Sequence, residues 1–67
     1  METNYLVLLD FSIGLIIKIR LTEEEKKLSE AYDDFERFLP VMEQKYGFNT
    51  THCTWMVCET LEELDYT

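Results

Sequence analysis

Tyr5-Leu-Val-Leu-Leu-Asp10-Phe-Ser-Ile-Gly14-Leu15-Ile-Ile-Lys-Ile-Arg-Leu21 is the stretch on which the fold turns. Two apolar runs, Tyr5–Leu9 and Leu15–Leu21, flank a segment holding Asp10, Ser12 and Gly14, and the β-branched residues concentrate in the second run. Such a pattern reads as a β-hairpin. With Gly14 in the left-handed position of a three-residue loop, the expected register sets Phe11 opposite Leu15, Leu9 opposite Ile17, Val7 opposite Ile19 and Tyr5 opposite Leu21. Side chains alternate across a strand, so these residues are expected to share the core face. The reverse face then carries Leu6, Leu8 and Asp10 beside Ile16, Lys18 and Arg20. Leu6, Leu8 and Ile16 are too many large aliphatics for a fully solvated sheet face.

Downstream the periodicity changes to helical. Thr22 and Glu25 stand at the spacing of a capping box, and Glu23, Glu24 and Glu25 suit a helix N-terminus. Apolar residues recur at Leu28, Tyr32, Phe35, Leu39, Met42 and Tyr46, a stripe of alternating four and three, and Gly47 suits a left-handed C-cap. Pro40 predicts a kink. Asp33 with Glu36 is the pattern of a second capping box, which predicts a short acidic helix over Glu23–Glu30 and a main helix over Asp34–Tyr46. The last strand is expected over His52–Cys58, with Cys53, Trp55 and Val57 toward the helix.

The expected fold is therefore α+β, in the order β-β-α-β. A three-stranded antiparallel sheet of order 2-1-3 carries a kinked or two-part helix packed on one face. The first strand, apolar on both sides, takes the centre. Residues 1–67 are expected to form a single small domain, with 59–67 an acidic C-terminal tail or short helical turn.

Six Lys and Arg against fourteen Asp and Glu give a net charge of −8. That balance opposes direct binding of nucleic acid or of anionic membranes and leaves room for a basic protein partner. The apolar stretch Tyr5–Ile19 is interrupted by Asp10, Ser12, Gly14 and Lys18, so no membrane span is expected. The first residues lack the basic start of a signal peptide, and a cytoplasmic location is the expectation. Cys53 and Cys58, five steps apart on one extended strand, sit too far apart to pair with each other.

No catalytic, cofactor-binding or metal-binding constellation is readable. His52 and Cys53 are neighbours on a strand and point to opposite faces, whereas a Cys–His dyad needs side-chain contact. Three alternating candidates, His52, Cys53 and Cys58, do not converge as zinc ligands do. Most of the carboxylates, at Glu23, Glu24, Glu25, Glu30, Asp33, Asp34 and Glu43, are expected on solvated helix exteriors. What remains is a surface. Leu6, Leu8, Ile16, Lys18, Arg20, Thr54 and Met56 are the expected interface of a non-catalytic, protein-interaction or regulatory module, working as a homodimer. The alternative is an acidic decoy that mimics nucleic acid and inhibits a basic nucleic-acid-binding protein.

Overall fold

Asp10 closes the first strand by bending its own carboxylate over the turn. Its Oδ1 accepts the Ser12 amide at 3.0 Å and the Ser12 hydroxyl at 2.6 Å. That local turn ends pairing at Asp10 and leaves Phe11–Gly14 as a four-residue loop, with Gly14 at φ 67°. In the computed structural model, which describes residues 2–67, β1 spans Tyr5–Asp10 and β2 spans Leu15–Arg20. Asp10 pairs with Leu15, Leu8 with Ile17 and Leu6 with Ile19.

The expected three-residue loop is thus one residue too short. A slip of one residue exchanges the faces of one strand relative to the other. Ile17, Ile19 and Leu21 keep their expected core side, but β1 is inverted. Leu6 and Leu8, expected on the outer face, are wholly buried at 0% exposure. Val7 and Leu9 take their place outside. The β1 sequence could not show this, because it is apolar at every position from Leu6 to Leu9.

After β2 the chain enters α1, Glu23–Ser29, through the expected capping box. Thr22 Oγ1 accepts the Glu25 amide at 3.1 Å, and Glu25 Oε1 accepts the Thr22 amide at 2.8 Å. The second helix, α2, spans Phe35–Tyr46. Its N-cap is Asp34, whose carboxylate accepts the Arg37 amide at 3.0 Å, so the proposed Asp33–Glu36 box is displaced by one residue. Asp34 is extended and Arg37 stands three positions on, where a capping box would need Glu or Gln. Pro40 lies inside α2 and the helix continues to Tyr46. Pro40 and Glu36 are both exposed, so water can serve the carbonyl that lacks a proline N–H. Gly47, at φ 78°, ends α2 and donates its amide to the Glu43 carbonyl at 2.8 Å.

A 3-10 turn at Thr50–His52 leads into β3, Cys53–Cys58, which pairs antiparallel with β1 and completes the sheet order β2-β1-β3. Both helices pack against the sheet. The core joins Leu6, Leu8, Ile19 and Leu21 of the sheet side to Phe38, Leu39 and Met42 of α2 and to Phe48. Phe38, absent from the expected stripe, is wholly buried, while Leu28, Tyr32 and Tyr46 are substantially exposed. The expected stripe ran through the break between two helices that do not share an axis. Within α2 alone the apolar residues Phe35, Phe38, Leu39 and Met42 follow the i, i+3, i+4, i+7 pattern. Phe35 stacks against Phe38 and Trp55, at 5.5 and 6.1 Å between ring centroids.

The inversion of β1 sets neighbouring leucines apart energetically. Leu8→Ala is expected to cost about 2–5 kcal/mol, the range for truncating a buried leucine, and Leu9→Ala less than about 1 kcal/mol. Urea denaturation of the two variants measures the difference; equal losses would contradict this register.

Candidate functional site

The face of the sheet away from the helices is built from three short rows. β2 contributes Ile16, Lys18 and Arg20; β1 contributes Tyr5, Val7 and Leu9; β3 contributes Thr54, Met56 and Cys58. Of the residues expected there, Ile16, Lys18, Arg20, Thr54 and Met56 lie on this face. Leu6 and Leu8 do not. Ile16 is 65% exposed, Met56 50% and Leu9 48%. The hairpin loop adds Phe11 and Ile13, each about as open as Ile16. Phe11, expected on the core face opposite Leu15, is instead exposed, because the four-residue loop takes it out of the strand. Ile13 carried no expectation, although a large apolar residue inside a tight turn is itself a signal, since turns favour Gly, Pro, Asn, Asp and Ser.

Across β1 and β3 the face forms an open groove of about 190 Å³, lined by Val7, Leu9, Thr54, Trp55 and Met56. That is smaller than the roughly 300–1,000 Å³ of small-molecule sites, and is the scale of a single side chain. The C-terminal tail borders the same face. It leaves β3 at Cys58, its Glu59 carbonyl accepts the Asn4 side-chain amide at 3.0 Å, and Glu63 pairs with Lys18 on the far strand. Since β1 lies between β3 and β2, the tail passes across the line of β1 on the outer side. The Lys18–Glu63 pair is exposed, so it positions the tail more than it stabilises the fold.

The outer strand positions hold no carboxylate, although the chain has fourteen acidic residues. They do hold two of its six basic residues, Lys18 and Arg20. The face is apolar and locally positive on an otherwise negative molecule.

The titratable groups elsewhere are engaged in structure. Glu25, 2% exposed, accepts hydrogen bonds from Lys45 Nζ and Tyr46 Oη, each at 2.7 Å, besides the Thr22 amide. Burial pushes its carboxyl up, but the Lys45 ammonium, the Thr22 amide and the Tyr46 hydroxyl outweigh that and hold it at about 2. Tyr46 and Lys45 shift upward for the same reason, the bond each donates to Glu25. Three hydrogen bonds from within the fold engage this carboxylate, one on Oε1 and two on Oε2.

Asp10 is drawn below its ordinary value chiefly by the Ser12 hydroxyl. Cys53, a free half-buried thiol, is pushed up by burial and by the nearby Asp10 and Glu43 carboxylates. A nucleophilic cysteine needs the opposite, a lowered pKa beside a cation or helix N-terminus. Among the described residues no group of three or more His, Cys, Asp or Glu side chains is arranged to hold a metal ion, and no helix is long and apolar enough to cross a membrane. Compared with protein-family models, with curated proteins and with solved structures, the chain matches none.

The depressed Glu25 carboxyl links stability to pH. Its stabilisation is fully present above the unfolded value near 4.5 and is lost as pH falls through about 2. Glu25→Gln is expected to cost on the order of 2 kcal/mol at pH 7 and to flatten the acid limb of the stability curve between those values. Urea midpoints measured from pH 7 down to pH 2 check it; an unchanged acid limb in the variant would show that Glu25 is not the coupled group.

Proposed function

We propose that this protein is a non-catalytic interaction module that acts as a symmetric homodimer through its outer sheet face and hairpin end. The observation that carries the reading is the cluster Leu9, Phe11, Ile13, Ile16 and Met56, exposed together on a domain whose helices already cover the other side of the sheet. Contiguous apolar surface of this kind marks association. At the roughly 200 Å² that a large side chain offers, these residues present on the order of 500 Å² per copy, so two copies reach the ~1,000 Å² at which specific interfaces begin. The face also meets the electrostatic demand of joining two chains of charge −8. It is the side from which no strand carboxylate projects. Edge-to-edge pairing is a poorer solution, because antiparallel pairing of two β2 edges about their centre brings Lys18 close to its own copy.

The reading predicts a dimer in sedimentation equilibrium at about 100 μM, and for Ile16→Glu a monomer whose urea midpoint equals that of the wild type at a concentration low enough for the wild type to be monomeric. A wild-type chain that stays monomeric at roughly ten times that concentration, or an Ile16→Glu chain that still dimerises, would end it.

A second reading rests on a different surface. Glu23, Glu24, Glu30, Asp33, Asp34 and Glu36 are all exposed around α1 and the start of α2, as a decoy for a basic groove requires. If carboxylates there stand in for phosphates, binding to a basic nucleic-acid-binding protein should weaken by about a hundredfold or more between low and physiological salt. Salt-insensitive binding in a titration series would reject the decoy.

A further inference from the structure

Leu64 and Tyr66 are the most exposed large apolar residues of the described chain, at 82% and 90%. Their neighbours Glu62, Glu63 and Asp65 make the segment acidic. On the same side of the molecule lies a face with the complementary properties: Lys18 and Arg20 for charge, Leu9, Ile16 and Met56 for apolar contact, and a groove scaled to one side chain. Within one chain the two meet only through the Glu63–Lys18 pair. Glu63 is held at Lys18 on β2, whereas the groove runs between β1 and β3, and Leu64 and Tyr66 remain in solvent.

Resting on the homodimer reading above, we infer that the segment Glu62–Tyr66 of each copy docks on the outer face of the other. Leu64 and Tyr66 seat against Leu9, Ile16 and Met56 of the second copy, and Glu63 exchanges its own Lys18 for that of the second copy. The occupant is this chain's own tail because the tail is already led to that face by the Lys18–Glu63 pair. When two outer faces approach, a segment anchored there lies between them. Its charge matches a face that has no strand carboxylate to repel it. Its area matters as well: Leu64 and Tyr66 add on the order of 300 Å² per copy to an interface otherwise at the lower bound for specificity.

The test is the double variant Leu64→Ser, Tyr66→Ser in the full chain. Both side chains are exposed, so its urea midpoint is expected to equal that of the wild type at a concentration where both are monomeric, while its dimer dissociation constant rises at least tenfold in sedimentation equilibrium. If the wild type dimerises and the double variant dimerises equally tightly, the tail exchange is wrong and the sheet-face dimer stands. If the wild type is a monomer, both fall.

Discussion

The structure depends first on one short hydrogen-bonded turn. Asp10, nearly buried at the end of β1, spends its carboxylate on the amide and hydroxyl of Ser12, which sets the loop at four residues. From that count follows the pairing of Asp10 with Leu15, and from the pairing follows which side of β1 meets the helices. A period-two element transmits a single-residue decision to every side chain along it. Leu6 and Leu8 enter the core, Val7 and Leu9 turn to the outer face, where Val7 is still buried and Leu9 is exposed, and the character of that face is decided ten or more ångströms from the turn that decided it.

A second polar constraint ties the helices together. Glu25 serves as the capping residue of α1 and, through its other oxygen, as the acceptor for Lys45 and Tyr46 at the end of α2. The C-terminal turn of α2 thereby donates a cation to a buried anion, and the segment Glu30–Asp34 between the helices need not carry that load. This arrangement explains why Tyr46 is both half out of the core and ordered by a hydrogen bond. It is also why the most perturbed carboxylate of the chain is structural: its three hydrogen-bond partners are all donors from the same fold.

Much of the fold was legible in the sequence. The capping box at Thr22, the glycines at both left-handed positions, the sheet order and the division of residues 22–46 into two helices all follow from local chemistry. The inner face of β3 and the Ile17, Ile19 and Leu21 side of β2 were legible because those strands alternate. β1 was not, since a run of Leu6-Val7-Leu8-Leu9 gives alternation no purchase and the loop length alone chose its face. Phe38 was hidden for another reason: a stripe extended across a helix break looks regular in sequence but belongs to two axes. For the site, Ile16, Lys18, Arg20, Thr54 and Met56 could be placed outside, whereas Leu6 and Leu8 were assigned there only through the one-residue error in register. Phe11 was assigned to the core through the same register error, and Ile13 went unrecognised because it stood inside a turn.

The composition of the outer face is hard to reconcile with simple solvation. A chain with fourteen acidic residues among 67, left to decorate a water-facing sheet, would be expected to place some of them there. Instead the strands put aliphatic residues and two cations outward, and a carboxylate reaches that face from the tail, at Glu63. A small domain has little core to spare, and leaving Leu9, Ile16 and Met56 in water forgoes burial that its marginal stability could use. The association proposed above would recover that burial without a larger chain. It would also join the one sheet face from which no strand carboxylate projects.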